Sequence, residues 1–281
     1  MANEAKGLVG VRVLSLESRR AAEMAKLIAN YGGKAIVAPS MREVPLESNT
    51  QALDFARRLA AGEFQVVIFL TGVGARALAS VAETVYSREK FLDGLKRVTV
   101  VARGPKPVAV LKELGVPVAV TVPEPNTWRD LLEVIDKNGV QLQVKGVAVQ
   151  EYGESNPELL AGLAERGAKV MQVPVYKWDL PEDQEPLRKA VHSVVAGEID
   201  LVLFTTSVQV IHFLRVAKEM NVEKQLREAL TRARVGSIGP VTSEELHAQG
   251  IHVDFEPEHP KMGYLVNEAA RQMSAKKEKS R

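Results

Sequence analysis

Short apolar runs alternate along this chain with longer amphipathic segments. The apolar run from Ile199 to Phe204 ends in the hydroxylated residues Thr205-Thr206-Ser207, after which apolar residues recur at helical spacing. This pattern predicts a strand that is buried on both faces and leads into a helix. In open parallel sheets, ligands bind beside the carboxyl ends of strands, where the following helices present N–H groups. The turn over 205–207 is therefore a candidate binding segment.

The same passage occurs earlier in the chain. The segment that begins at Ala61 resembles the segment that begins at Ala196, and subtracting 61 from 196 gives a shift of 135 residues. The shift pairs residues of the same type along most of the chain: Gly32 with Gly167, Lys34 with Lys169, Pro39 with Pro174, Phe69 with Phe204, Thr71 with Thr206, Gly104 with Gly239, and Gly115 with Gly250. A fixed shift of this size indicates two related halves.

Each half offers about five strands that alternate with helices, which is typical of a doubly wound parallel sheet. Ser18 is predicted to be the N-cap of the first helix. Pro174 should confine its strand to a sheet edge or a crossing segment. The predicted strands span 11–16, 34–39, 64–70, 97–102, 116–120, 146–150, 169–176, 199–204, 234–238 and 251–255. We expect an α/β protein with two similar lobes and a cleft between them.

Composition excludes several classes of partner and site. The net charge is +2, with 37 basic and 35 acidic residues, so nothing in the overall charge favours nucleic acid or an anionic membrane. The absence of cysteine excludes disulfides, thiolate nucleophiles and zinc–cysteine sites. The first residues lack a signal-peptide core, and no apolar run is long enough for a membrane span, so we expect a cytoplasmic protein. The basic tail from Ala275 is expected to be a frayed end.

Six short motifs lie along the chain: Leu70-Thr-Gly-Val-Gly74, Val101-Ala-Arg-Gly-Pro-Lys106, Val173-Pro-Val-Tyr176, Phe204-Thr-Thr-Ser207, Ser237-Ile-Gly-Pro-Val-Thr-Ser243 and Gly250-Ile-His-Val253. In their order and spacing they resemble the motifs of the uroporphyrinogen-III synthase family over almost the whole chain. The resemblance implies two flavodoxin-like or Rossmann-like lobes. It assigns residues 1–38 and 177–281 to one lobe and 45–171 to the other, and makes 39–44 and 172–176 a paired linker, where we expect a hinge.

The resemblance also implies a reaction without metal or cofactor. The family's substrate, hydroxymethylbilane, is a linear tetrapyrrole with eight carboxylates, and it closes unaided to the wrong isomer. The enzyme assists loss of water and inverts ring D through a spiro intermediate, so its central task is orientation. We expect a monomer that takes this small molecule, binds neither nucleic acid nor membrane, and has transient contact with the preceding pathway enzyme.

Helix N-termini can bind many carboxylates without making a protein strongly basic. The candidate substrate-binding residues at such turns are Thr71, Gly72, Val73, Gly104, Thr206, Ser207, Val208 and Gly239. Nearby cations are also candidates: Arg19, Arg20, Arg103 and Lys106. These residue types serve equally well as ordinary helix caps or as solvated surface charges.

The resemblance makes Tyr176 the candidate donor of the proton that the departing hydroxide needs, because a phenol donates without being charged at neutral pH. Packing is its alternative role. Tyr152 is a second candidate for the site. Thr242 matches a family threonine, but its partner in the repeat is Pro107, so a hydroxyl shared by both lobes is in doubt.

Other chemistries have weak support. The five histidines, at 192, 212, 247, 252 and 259, lack metal-ligand spacing and are expected to pack or lie at the surface. The turn Thr71-Gly-Val-Gly74 alone is a weak phosphate signal. The rival function is a two-lobed cytoplasmic binding or sensor protein for a small anionic ligand, because hinged α/β lobes serve that purpose too.

Overall fold

The structure is a computed structural model that describes residues 7–46, 49–143, 146–151, 153 and 155–279. Its strands are β1 (Arg12–Ser15), β2 (Lys34–Val37), β3 (Arg42–Pro45), β4 (Phe64–Phe69), β5 (Thr99–Ala102), β6 (Val120–Thr121), β7 (Gly146–Gln150), β8 (Lys169–Val173), β9 (Tyr176–Asp179), β10 (Leu201–Phe204) and β11 (Arg234–Ser237). Its helices are α1 (Ala21–Asn30), α2 (Thr50–Ala60), α3 (Gly72–Ala82), α4 (Arg88–Lys96), α5 (Pro105–Glu113), α6 (Trp128–Lys137), α7 (Pro157–Glu165), α8 (Glu185–Val195), α9 (Ser207–Glu219), α10 (Glu223–Leu230), α11 (Pro240–Ala248) and α12 (Met262–Lys279). No helix among the described residues is both long and apolar enough to cross a lipid bilayer.

The chain forms two compact units, Met1–Arg42 with Asp179–Arg281, and Glu43–Trp178. In the first unit, the strands β11-β10-β1-β2 make a parallel sheet. Alternate residues of one strand point to opposite faces, so Leu14 joins the core beneath α8, α9 and α10, whereas Val13 joins the core beneath α1 and α12. Every residue of β10 is buried, as its apolar sequence predicts.

The second unit contains the five-stranded parallel sheet β6-β5-β4-β7-β8. Val67 and Phe69 of β4 pack in the core with α2 to α5, and Val66 and Ile68 pack on the other face with α6 and α7. Helices therefore cover both faces of each large sheet. This arrangement is the doubly wound α/β class that the sequence pattern predicts.

The repeat is visible in the strand order. Strands β10, β11 and β2 correspond by the shift of 135 to β4, β5 and β8, and they occupy the same places in their own sheet. Strand β1 takes the place of β7, although β1 comes first among the strands of its sheet along the chain and β7 comes after β4, β5 and β6. Because Arg12 pairs with Lys34 and Gly146 pairs with Lys169, Arg12 corresponds to Gly146, and this pair of strands differs by 134 residues.

Two predicted strands are reduced in the structure. The strand expected over 116–120 is only the two-residue β6, since Pro117 has no N–H to offer a sheet. The prediction of a strand over 251–255 was wrong, because this segment forms only a single bridge, between Gly236 and Phe255. The Asp254 carboxylate accepts from the backbone N–H of Val235 at 2.8 Å, which replaces a regular ladder bond.

Other boundaries also differ from the prediction. The single strand expected over 169–176 is divided at Pro174 into the edge strand β8 and the strand β9, and β9 pairs with β3 in a separate two-stranded sheet. This pairing lies a few residues later than the linker segments implied by the resemblance. The tail expected to fray from Ala275 is helical to Lys279.

Candidate active site

In the second unit, the strand order reverses beside β4, because the chain runs from β4 outward to β5 and β6 and then returns to β7 on the other side. The carboxyl ends of β4 and β7 lie at this topological switch point, where open α/β sheets bind ligands. Thr71 follows β4, and Gln150 with Glu151 ends β7. The site is therefore built from these two strand ends.

Thr71 closes the turn from β4 into α3. Its backbone is extended, and its hydroxyl accepts a hydrogen bond from the N–H of Gly74 at 3.0 Å, which makes it the N-cap. Helix α3 begins at Gly72, so residues 72–74 form its first turn. Val73 is 37% exposed in that turn, whereas Gly72 and Gly74 are buried.

Tyr176 lies at the start of β9 with only 5% of its surface exposed. Its hydroxyl is 3.3 Å from the Thr71 hydroxyl, and either group could be the donor. Its ring meets Trp178 edge to face, with centroids 5.5 Å apart. The alternative role of packing and the hydrogen bond to the turn therefore coexist in one side chain. Tyr152, the other candidate tyrosine, lies outside the described residues.

Two polar residues at the end of β7 were missed by the sequence analysis. Gln150 is completely buried, and its side-chain oxygen accepts from the N–H of Thr71 at 3.3 Å. Glu151 is 6% exposed, and its carboxylate accepts from the Gln172 amide at 3.0 Å. The available signal was a polar residue at the end of a predicted apolar strand, followed by a second polar residue, next to the predicted binding edge.

Helix α5 begins beside α3. Gly104 is its N-cap with a φ of 86°, a conformation that favours glycine, and the Asn126 side chain occupies the space where a Cβ would lie. A Cβ on Gly72 would be 2.8 Å from the backbone oxygen of Lys106, so glycine permits the two helix starts to approach. The Lys106 side chain is exposed in the first turn, and Arg103 is half-buried with its N–H bonded to the oxygen of Phe69 at 2.9 Å.

In the first unit, the switch point lies between β1 and β10. Thr206 is the N-cap of α9 in extended backbone, but its side chain makes no capping hydrogen bond. Thr206 and Ser207 are half-buried, and Val208 is buried. The hydroxyl of the preceding Thr205 donates to the Glu17 carboxylate at 2.6 Å. The predicted turn over 205–207 is thus joined to the end of β1.

The predicted cap of α1 was wrong. Arg20 is the N-cap residue, and the Ser18 hydroxyl instead accepts from the N–H of Met41 at 3.2 Å. The Arg20 side chain donates from Nε to the Glu23 carboxylate at 2.6 Å, so its charge is matched within its own helix. Arg19 is exposed.

Gly239 is the N-cap of α11, and its φ of 171° is extended backbone that any residue adopts. Thr242 follows in the first turn with 3% exposure, and its N–H donates to the oxygen of Gly239 at 3.1 Å. The next residue, Ser243, donates its hydroxyl to the Glu256 carboxylate.

His212 is the buried histidine among the five, with 4% exposure. Its Nδ1 donates to the carbonyl oxygen of Ser40 at 2.8 Å. Burial lowers the pKa of its imidazole below 6.5, partly offset by this hydrogen bond. Within the described part of the chain, no three His, Asp or Glu residues are grouped so as to hold a metal ion.

Comparison with known proteins decides what these two similar units belong to. A family model described as uroporphyrinogen-III synthase HemD matches residues 22–267. The chain belongs to the uroporphyrinogen-III synthase family. The family, the doubly wound α/β class and the synthase activity predicted from the sequence are thereby confirmed, and the protein is an enzyme of tetrapyrrole biosynthesis.

Relatives span nearly the whole chain. A putative uroporphyrinogen-III synthase of Methanothermobacter thermautotrophicus is 31% identical over 234 residues, which is 83% of this chain and 87% of the relative. A Bacillus subtilis protein described as uncharacterized protein YjjA is 31% identical over 267 residues, covering 95% and 97%. A crystal structure of a mutant uroporphyrinogen III synthase from Thermus thermophilus has a TM-score of 0.72 at 26% identity, covering 95% of this chain and 99% of that one.

Proposed function

We propose that this synthase acts as a cofactor-free lyase in which Tyr176 assists departure of the substrate hydroxyl. The observation that carries the proposal is the hydroxyl of the buried residue Tyr176, which lies 3.3 Å from the Thr71 hydroxyl at the switch point of the second unit. Loss of hydroxide from hydroxymethylbilane needs a proton, and a neutral phenol can supply a hydrogen bond or a proton at neutral pH. Water is lost and no atom is oxidised or reduced overall, so the reaction needs no redox cofactor.

Recognition of the carboxylates is the second part of the proposal. Helices α3 and α9 begin with backbone N–H groups at Gly72, Val73, Ser207 and Val208, directly after the central strands of their sheets. Such N-termini favour anions through aligned peptide dipoles and N–H donors. We assign these turns, with Gly104, Gly239 and the cations Arg19, Arg103 and Lys106, to the substrate carboxylates.

The carboxylate contacts and the Tyr176 phenol have different roles in this proposal. The carboxylate contacts hold the flexible chain so that the substituted carbon of ring D meets the activated end, and Tyr176 speeds the first bond cleavage. Holding reacting groups in place can supply several kcal/mol of the barrier, about 7 or more in favourable cases. The choice of isomer therefore depends on the carboxylate contacts, and the rate depends additionally on the phenol. Thr242 stays a candidate for a further hydroxyl contact.

We expect two lobes joined by a hinge in the segments around 39–44 and 172–176, with residues 1–38 and 177–281 in one and 45–171 in the other. A cytoplasmic monomer that meets the preceding pathway enzyme only transiently would fit a substrate that closes spontaneously. Equal small-angle scattering profiles with and without ligand would count against the hinge.

A chelation experiment tests the cofactor-free mechanism. The protein is treated with excess EDTA, desalted, and assayed with freshly made hydroxymethylbilane, and we expect an unchanged rate of type III product. A loss of rate that a divalent metal restores would overturn the proposal. The rival, a binding protein for a small anion, would bind the tetrapyrrole without accelerating its closure.

A further inference from the structure

Each unit buries one glutamine amide at the turn that follows its central strand. In the first unit, the Gln209 side-chain oxygen accepts from the N–H of Thr205 at 2.7 Å. In the second unit, the Gln150 side-chain oxygen accepts from the N–H of Thr71 at 3.3 Å. Both glutamines are at most 1% exposed. The two amides therefore satisfy a backbone donor at equivalent turns.

The two glutamines come from different positions of the repeat. Gln209 lies in α9 and corresponds by the shift of 135 to Gly74 in α3. Gln150 ends β7 and corresponds by strand pairing to Leu16, which follows β1. Gly74 leaves room for the Gln150 amide, because a Cβ at residue 74 would lie in the space that this amide occupies. The buried amide is therefore supplied by the helix in the first unit and by the neighbouring strand in the second.

The two amide nitrogens donate to different kinds of group. In the first unit, the Gln209 amide nitrogen donates to the Thr205 hydroxyl at 2.8 Å, and Thr206 makes no capping bond. In the second unit, Leu70 stands in place of Thr205, and the Gln150 amide nitrogen donates to the backbone oxygen of Glu151 instead. The amide thus joins the turn after β4 to the end of β7.

We propose that Gln150 is a positioning residue for the reaction: by holding the backbone of Thr71 it keeps the Thr71 hydroxyl opposite that of Tyr176. The chain of contacts runs from the Gln150 oxygen to the N–H of Thr71, and from the Thr71 hydroxyl to the Tyr176 hydroxyl. This inference rests on the role proposed above for Tyr176. Gln150 itself acts only through the turn.

A double-mutant cycle tests the buried amide without any assay of activity. Gly74→Ala should lower the urea midpoint of the wild-type protein, because the new Cβ expels the Gln150 amide. In a Gln150→Ala background, the same Gly74→Ala change should raise the midpoint, since alanine favours the helix and the clash is gone. Gly263→Ala is the matched control, because nothing lies within 4 Å of a Cβ there, and it should raise the midpoint in both backgrounds. A Gly74→Ala effect of the same sign and size in both backgrounds would overturn the contact.

A kinetic cycle tests the positioning role. Gln150→Ala should lower kcat by about tenfold, because the turn that carries Thr71 loses its anchor, with KM within about twofold, because the carboxylate contacts proposed at the other helix starts remain. In a Tyr176→Phe background, Gln150→Ala should lower kcat by less than about twofold, because its effect passes through the absent phenol hydroxyl. An equal factor in both backgrounds would make Gln150 merely structural and reject the proposal.

The two cycles separate the possible failures. If the role of Tyr176 is wrong, Tyr176→Phe keeps the wild-type rate and the kinetic cycle fails, while the stability cycle still reports the Gln150 contact. If the contact is wrong, the stability cycle is additive while Tyr176→Phe still slows the reaction.

Discussion

The hydroxyl groups of Thr71 and Tyr176 lie 3.3 Å apart and connect the N-cap of α3 to the first residue of β9. The contact joins a residue at the switch point of the sheet to a strand outside that sheet. The same threonine hydroxyl also accepts from the N–H of Gly74 at 3.0 Å, so a shift of the turn would move the partner of the tyrosine. Thr71 therefore bonds both to the first turn of α3 and to the tyrosine that we propose as the proton donor.

Removing the phenol hydroxyl should slow the reaction without changing its outcome. Tyr176→Phe keeps the ring and its contact with Trp178, and we expect kcat to fall by roughly tenfold, which corresponds to about 1.4 kcal/mol of barrier. Steady-state kinetics on fresh hydroxymethylbilane measure the effect. Tyr31→Phe is the control, because it also removes a hydrogen-bonded phenol hydroxyl, one that accepts from Asn267 at 2.8 Å. An unchanged kcat in Tyr176→Phe would remove this residue from the mechanism.

The two equivalent cap threonines should respond differently to alanine. Thr71→Ala removes a capping hydrogen bond and should lower the free energy of unfolding by about 1 kcal/mol. Thr206→Ala removes a side chain that makes no capping bond, so its cost should be smaller. Urea unfolding of both variants gives the comparison. Equal losses of stability in the two variants would contradict the capping geometry. If both hydroxyls contact the substrate, both variants should also lose activity, whatever their stability.

Gly104 should tolerate alanine less well than Gly115 does. Both have positive φ, 86° and 70°, so alanine should cost each about 1 kcal/mol or more in backbone strain. A Cβ on Gly104 also meets the Asn126 side chain, whereas nothing lies within 4 Å of one on Gly115. We expect Gly104→Ala to lower the free energy of unfolding by roughly a further 1 kcal/mol. Equal urea midpoints for the two variants would contradict this prediction, because they would show that the Asn126 side chain moves aside without a cost in free energy.

His212 should make the protein less stable in mild acid. Its pKa in the folded protein is lowered below 6.5, chiefly by burial, while Arg215 lowers it and Asp179 raises it by smaller amounts. The unfolded chain then binds the proton more readily, so stability is full above pH 6.5 and falls as the pH drops from there towards the folded pKa. His212→Gln should flatten the part of this profile that lies below pH 6.5. Parallel profiles for variant and wild type would contradict the sign.

Patterns that are repeated along the chain were predictable. The apolar run that became β10, its counterpart β4 and the turns that follow them were identified because strand burial and helix starts are encoded within a few neighbouring residues. The repeat also explains why β10 and β4 occupy the same place in their own sheets. Candidate residues at the turns, such as Thr71 and Ser207, were identified because these positions open helices.

Features that depend on distant partners were not predictable. Ser18 has the composition of a cap, but its hydroxyl is taken by Met41, more than twenty residues away. Gln150 was predicted only as the polar last residue of its strand, and the room left by Gly74 shows why a glutamine is buried there. Val235 bonds to the Asp254 side chain, so an alternating segment did not become a strand. In each case a side chain accepts a hydrogen bond from a backbone N–H that is at least 19 residues away in the sequence.

The most direct test of the central claim is the isomer composition of the product. Freshly prepared hydroxymethylbilane is incubated with the purified protein, the product is oxidised, and the type I and type III porphyrins are separated and quantified. We expect type III to dominate at a rate well above spontaneous closure, because fixed carboxylate contacts enforce the inversion of ring D. Type I product alone, formed at the uncatalysed rate, would contradict the account.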